Sequence, residues 1–375
     1  MIETHKIDPR DKSDLRRYLD LPYALYKNNP NWVPFLRTDV ATMLNADKHP
    51  FYEHSDAEFF IATRNGVDVA RLAMLENKPY NMYHDKRQAQ FYHFECVNDY
   101  DVAEAILARG FEWARARDLN QVVGPKGFGP FDGYGILVDG FEHRQMMVMM
   151  NYNPPYIPAF MEKMGFRKEV DFVSCYLPPA KFILPERVHR IAERAAKRSG
   201  LRVMRFRNKR ELRAIGMQVG KVYNDIFINN WEYYPLSDRE LKFHIDGILM
   251  VAVPSMIKII MHDEDVVGFL FAFPDVSAAI QRSGGRLFPF GIVDLMLEMR
   301  RSSTVSLNGA GILPAFQGLG GNALLYAEME KTIQENRFQH AELTQVAETA
   351  VQMRHDLENV GGVPYKNHRV YLREI

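Results

Sequence analysis

The stretch Ile312-Leu-Pro-Ala-Phe-Gln-Gly-Leu-Gly-Gly-Asn-Ala-Leu-Leu325 sets three glycines within residues 318 to 321, between a proline-containing apolar segment and a run with helical spacing. Three readings fit it. The plainest is a glycine-rich turn ahead of a helix. The second is a dinucleotide fingerprint, since Gly318, Gly320 and Ala323 match G-x-G-x-x-(G/A). Only 53 residues follow Asn322, however, too few for the remaining strand–helix units of such a domain. The third is a pyrophosphate cradle, in which unpaired N–H groups and the positive end of a helix dipole face an anion. Glycine suits that role because it lacks the Cβ that would block close approach.

Working outward, the elements around this loop occur twice. Glu58 to Leu75 reads as an apolar strand, an Asn65-Gly66 turn and a second strand, the pair Asn-Gly supplying the positive φ angles of a tight hairpin. Ile257 to Phe273 repeats the layout with Asp263-Glu-Asp265 at the turn. Asp101 to Val123 then sets Val102, Ile106 and Phe111 roughly on one helical face before a short strand, and Asn322 to Val346 does the same with Leu325, Met329 and Ile333. Each copy ends in a helix closed by glycine, Phe160 to Phe166 and Leu357 to Gly362. Between the copies, Pro178 to Pro185 and the basic run Glu186 to Ser199 mark a connection. This predicts two α/β domains, 1–178 and 179–375, each a mixed twisted sheet flanked by helices.

Composition bounds the function. Of 375 residues 47% are apolar, enough for real cores, and 47 basic residues balance 47 acidic ones. Zero net charge argues against nucleic acid as the main partner. The longest apolar runs, such as Met146 to Met150 and Val266 to Phe273, fall far short of the roughly 20 residues that span a bilayer, so no membrane partner is expected. Cys96 and Cys175 with no C-x-x-C, and a start without a signal-type apolar stretch, point to a cytoplasmic protein with free thiols. Twelve histidines lie scattered, with His49 and His54 the closest pair and no H-E-x-x-H, so no metal is assigned.

With Pro314, Gln317 and Gly320 in place, Ser303 to Leu325 resembles the acyl-CoA-binding motif of the GNAT acyltransferase superfamily: a strand end, a proline, then a (Gln/Arg)-x-x-Gly-x-(Gly/Ala) loop opening a helix. Asn322 stands where that pattern has Gly or Ala, and reads as a helix N-cap. The chain looks like a tandem-GNAT bacterial protein whose N-terminal copy is degenerate, since Asp99 and Asp101 replace the loop there and would repel an anion. The resemblance implies that acyl-CoA, acetyl-CoA first among the candidates, is held by Ile312, Leu313, Gln317, Gly318, Leu319, Gly320, Gly321 and Asn322. It also implies direct transfer to a small amine or amino acid. The tyrosine that serves many members as acid is absent, with Leu357 and Met161 at its two positions.

Substitutes in the sequence are Tyr365 and Tyr371 as acids, and Glu342 and Glu348 as bases. Each has a structural alternative, the tyrosines packing a terminal sheet and the glutamates ending a strand in solvent. Backbone amides near Ile312 and Leu313 would serve as oxyanion donors. Trp231, Tyr233 and Tyr234 read either as walls of an amine pocket or as core aromatics. Gly124 to Phe141, with six glycines and Lys126, reads as an anion cradle or as an irregular capping loop. Two other functions stay open: a non-catalytic acyl-CoA binder, and a Fem-like aminoacyl transferase, which an intact Gln317 to Gly321 loop disfavours. A homo-oligomer is compatible with the sequence.

Overall fold

The computed structural model describes residues 1–146, 150–178 and 183–375. Residues 147–149 of the apolar run at Met146, and residues 179–182 of the proline connection with the expected division, lie outside the described residues. The chain runs β1 (Ile2–Lys6), α1 (Lys12–Leu25), α2 (Arg37–Met43), β2 (Asp56–Arg64), β3 (Val67–Glu76), α3 (Lys78–His84), β4 (Gln88–Cys96), α4 (Tyr100–Arg115), β5 (Gln121–Gly124), β6 (Ile136–Asp139), α5 (Tyr156–Lys163) and β7 (Arg167–Leu177). It continues through α6 (Glu186–Arg198), β8 (Leu201–Met204), α7 (Lys209–Ile226), α8 (Asp238–Val251), β9 (Ile257–His262), β10 (Asp265–Pro274), α9 (Ser277–Ser283) and α10 (Gly291–Arg301). Next come β11 (Thr304–Ile312), α11 (Gly321–Glu335), β12 (His340–Ala347), α12 (Val351–Asn359) and β13 (Val363–Glu374).

These elements form two compact units, one of Met1–Val173, Val276–Glu298 and Tyr365–Ile375, the other of Ser174–Asp275 and Met299–Pro364. A single division at 179 therefore misses two segments that group with the N-terminal residues. The reason for the last segment is strand pairing: Tyr371 to Glu374 of β13 lie antiparallel to Gly124 to Gln121 of β5. The reason for the other is hydrogen bonding: Gln281 donates to the carbonyls of Pro30 and Trp32 at 2.9 and 2.8 Å, and the Arg37 amide donates to Gly285.

In the first unit the strand order is β1-β2-β3-β4-β5-β13-β7, with β6 also on β13. The β2–β3 hairpin turns through Asn65 and Gly66 at φ 51° and 78°, as the Asn-Gly pair dictates. Successive β2 side chains enter opposite cores: Phe60 and Ala62 join Val102, Ile106 and Phe111 of α4, while Phe59 and Ile61 join Tyr18, Phe51 and Phe128. In the second unit the order is β12-β11-β10-β9-β8, its β9–β10 hairpin turning at Asp263 with φ 53°. Leu325, Met329 and Ile333 of α11 pack on Ile260, Leu270, Val305 and Ala341, and Phe269 and Ile259 face the opposite core under α7 and α8. The glycines after α5 and α12, Gly165 and Gly361, take left-handed φ values of 80° and 85° and close those helices.

Candidate functional site

Parallel β11 and β12 are paired only from Thr304–His340 to Leu307–Leu343. Beyond that point β11 continues to Ile312 and β12 to Ala347 without pairing to each other, which opens a wedge between them. A bulge begins the wedge: Leu307 and Gly309 sit opposite Ala272 and Phe271, so Asn308 has no partner on β10. Both polar atoms of the Asn308 side chain are buried without a hydrogen bond among the described residues. An unsatisfied buried amide is costly and marks a place where a ligand group or water would complete the bonding. Glu342, buried to 2%, faces Ser306 in the last paired rungs, and Ser306 bonds Thr344 across the strands at 2.9 Å.

From the open end of β11 the chain passes Pro314 and enters α11. Gly320 is the N-cap, at φ 87°, and no side chain caps the helix among the described residues. The first-turn amides of this 15-residue helix thus have no capping side chain, and Gly321 at its start is buried. Gln317, Gly318 and Leu319 are exposed, and a Cβ on Gly318 would meet nothing within 4 Å. A Cβ on Gly320 would lie 3.0 Å from Ile191 and 3.1 Å from Ala195 of α6, whose Arg187, Arg190, Arg194 and Arg198 are exposed. Gln317 steadies the loop by donating to the Ile312 carbonyl at 3.1 Å.

The first unit repeats this plan with different chemistry. Its parallel strands β4 and β5 pair only from Gln88–Gln121 to Gln90–Val123. A bulge follows, between the Ala73–Tyr92 and Arg71–Glu95 pairs, and His93 sits in it at φ 48°, a strained angle for a histidine. His93 is 5% exposed; its Nδ1 lies 3.3 Å from the Tyr18 hydroxyl, and its Nε2 is buried without a hydrogen bond. Burial, then the nearby Arg71 charge, hold the imidazole well below its ordinary pKa, so it is neutral at pH 7. Arg71 and Glu95 form a buried ion pair beside it, and burial pushes the Glu95 carboxyl upward against the pull of Arg71. His93 and Glu95 line a cleft walled by Trp32, Phe35, Tyr92 and Tyr152. The sequence of β4 mixes Gln88, Gln90, His93 and Glu95 with apolar residues and does not single out His93, which the bulge turns into this position.

At α4 the helix start is closed. Asp99 is the N-cap and accepts from the Asp101 and Val102 amides, and Arg64 binds its other oxygen. That bond, with the amides, holds the Asp99 carboxyl below its usual range.

No family model matches the sequence. Two curated bacterial proteins align over nearly the whole chain: YghO of Escherichia coli K12, 24% identical over 97% of this chain and 94% of its own, and a bacterial ceramide synthase of Caulobacter vibrioides, 26% identical over 98% and 97%. Among solved structures, a tandem GNAT protein from the clavulanic acid biosynthesis pathway superposes with a TM-score of 0.58 at 12% identity, covering 100% of this chain and 98% of that one. The fold is the GNAT fold.

Within this GNAT fold the expected residues separate. Gln317 to Asn322 come together at the start of α11, with Ile312 at the mouth of the wedge. The Leu313 amide is already spent on the Val267 carbonyl at 2.9 Å, which removes it as an oxyanion donor. The alternation of the β10–β11 ladder turns the Ile312 amide to the open edge. Asn322 is not the N-cap: it lies inside the first turn and donates to Asp356 of α12 at 2.9 Å. Glu342 is buried rather than solvated, and Glu348 lies half-buried after β12.

Tyr365 and Tyr371 belong to the first unit of the GNAT fold, whereas the glycine loop belongs to the second. Tyr371 is 1% exposed in the α4 core, where burial pushes its hydroxyl up to about 12, and Tyr365 accepts from Lys366 at 3.1 Å. Tyr233 and Tyr234 are buried, Tyr234 donating to Glu240, and only Trp231 of that set is half-buried. Leu357 and Met161 are buried at 6% and 0%, so both fill core space. Lys126 turns inward, its Nζ 3.7 Å from the centre of the Tyr80 ring, and does not present an anion cradle. Among the described residues no three His, Cys, Asp or Glu side chains cluster as metal ligands, and no helix is long and apolar enough to cross a membrane.

Proposed function

We propose that this protein is an acyl-CoA-dependent N-acyltransferase. The observation that carries the reading is the start of α11: a left-handed glycine N-cap with no capping side chain, opening from a strand that diverges from its parallel neighbour. On this reading the CoA pyrophosphate takes the free amides of Gly321 and its neighbours, with α6 arginines supplying charge. The acyl thioester lies along the open edge of β11, and Asn308 donates to its carbonyl oxygen. The amine nitrogen attacks that carbonyl, the C–N bond forms and the C–S bond breaks. Glu342 accepts the amine proton, and the thiolate leaves as thiol after taking a proton from solvent.

Support for the acceptor comes from the relative named a bacterial ceramide synthase, which aligns end to end with this chain. A ceramide is an N-acylated long-chain amino alcohol. We therefore place the acceptor among primary amines carried on long alkyl chains and the donor among fatty acyl-CoAs, ahead of the acetyl-CoA and small amine that the loop motif alone suggests.

Calorimetric titration with CoA, acetyl-CoA and a fatty acyl-CoA tests the first step, and absence of saturable binding up to millimolar ligand overturns it. Thiol release and amide product are then followed across long-chain amino alcohols, small amines and amino acids. Glu342→Gln tests the base: it should abolish turnover while CoA still binds, and unchanged turnover removes Glu342 from that role.

A further inference from the structure

The segment from Gly285 to Arg301 carries the largest group of exposed apolar side chains in one place. Phe288 and Phe290 are 75% and 79% exposed, Val293 and Met296 each 54%, and Leu297 40%. Val293, Met296 and Leu297 follow at i, i+3 and i+4 on α10, so they share one face of the helix. The two phenylalanines precede it on the same approach. Leu295, on the other side, is buried at 6% and holds the helix down. Single exposed apolar residues need no explanation, but five in the ten positions from Phe288 to Leu297, two of them phenylalanine, mark a contact surface.

Charge decides what the surface meets. The two acids of α10, Asp294 and Glu298, both bind Arg282, with Arg282 to Asp294 a fork of two bonds at 2.9 Å. One guanidinium thus offsets one of the two carboxylates, which leaves a single negative charge here against the arginines that follow. Arg286, Arg300 and Arg301 are exposed and have no acid partner among the described residues. Apolar side chains are thus bordered by three unneutralised guanidinium groups, the arrangement of an amphipathic helix lying on an anionic bilayer. We propose that α10 and the Phe288–Phe290 turn dock this protein on a membrane surface rich in anionic phospholipid, with the rings and aliphatic chains in the headgroup boundary and the arginines on phosphates. The expectation of no membrane partner from hydropathy concerned spanning segments, and this surface lies on the bilayer without crossing it. The inference stands independently of the acyl-CoA reading.

Flotation of the full-length protein with phosphatidylcholine vesicles, with and without phosphatidylglycerol, tests it. Wild type is expected to float with the anionic vesicles at about 0.1 M salt and much less at about 0.5 M, where screening is short-ranged. The triple change Phe288→Ser, Phe290→Ser and Leu297→Ser removes only exposed side chains, and it should lower the bound fraction about tenfold while leaving the melting profile and CoA titration unchanged. The change Arg286→Gln, Arg300→Gln and Arg301→Gln should remove the preference for phosphatidylglycerol. The proposal is overturned if wild type stays unbound, or if the serine variant floats as wild type does. It is equally overturned if sedimentation shows wild-type dimers that the serine variant dissolves without any vesicle binding, since the face would then join two copies of this chain.

Discussion

The two units begin their central helices in opposite ways. At α4 the Asp99 carboxylate occupies the first amides and is itself held by Arg64, so the helix supplies its own anion. At α11 Gly320 stands at the same place with no side chain to offer, and no side chain caps the helix among the described residues. Upstream, the bulge of each unit carries a polar side chain with a buried unsatisfied nitrogen, His93 in one and Asn308 in the other. One frame has therefore been fitted twice. The first copy keeps a neutral imidazole and closes the helix; the second keeps an amide and leaves the helix without a capping side chain.

Gly320→Asp attacks that difference most directly, because it gives α11 the cap that α4 has. CoA affinity should fall at least about 100-fold, through a carboxylate in the anion site. The backbone at φ 87° and the 3.0 Å approach to Ile191 add strain. Gly320→Asn separates the effects, since asparagine tolerates the left-handed region and is uncharged. Calorimetry should show the asparagine variant retaining much of the affinity that the aspartate variant loses. Equal losses would mean that geometry, and not charge, governs the loop.

The next largest effects concern the helices that end each copy. Met161 and Leu357 each stand one helical turn before the glycine that closes α5 or α12, Gly165 or Gly361, and both are buried. Met161→Ala and Leu357→Ala should each cost about 2–5 kcal/mol, read from denaturant midpoints, as for other buried large-to-small changes. Little change in Leu357→Ala would show that this position faces the wedge and not the core.

How much of this was legible follows from the range of each interaction. The Asn65-Gly66 hairpin, the α4 and α11 faces and the closing glycines are local patterns, and the structure has them. The capture of β13 by β5 joins residues about 250 positions apart, and nothing within β13 encodes its partner. His93 lies in a strand of mixed polar and apolar residues that does not single it out, and its place on a cleft depends on one extra residue in the ladder. Asn322 reads as a cap by residue type, yet Gly320 caps the helix because only glycine accepts that φ without strain, and Asn322 is freed to bind Asp356.

A smaller contrast lies in pH. His368 is fully buried in the first unit with a ring N–H to the Asn151 carbonyl, and burial brings its pKa down to about 4. The folded value lies below the unfolded one, near 6.5, so the unfolded chain gains the proton first as pH falls. Stability from this group is complete above about 6.5 and is lost toward 4, roughly 2 kcal/mol of it by pH 5. Asp132 opposes the trend: burial pushes its carboxyl up to about 6, so the folded form takes that proton first. His368→Gln keeps an N–H for Asn151, and its stability deficit relative to wild type should shrink between pH 7.5 and 5. A constant deficit would mean that His368 is not neutral in the fold.

The smallest expected effect tests whether closure of α4 is a structural matter alone. Asp99→Ala removes the cap and the Arg64 partner together, and the melting temperature should fall by a few degrees at most, since other first-turn groups such as Asp101 still favour the helix dipole. The loss should be seen at neutral pH and fade in acid, because the Asp99 carboxyl is held low by Arg64 and its contribution disappears once it takes a proton. Opening this helix supplies free amides but no glycine loop, and Asp101 remains beside them. CoA stoichiometry should therefore stay that of wild type. A second CoA bound by Asp99→Ala would show that one carboxylate, and not the missing loop, is what separates the two copies.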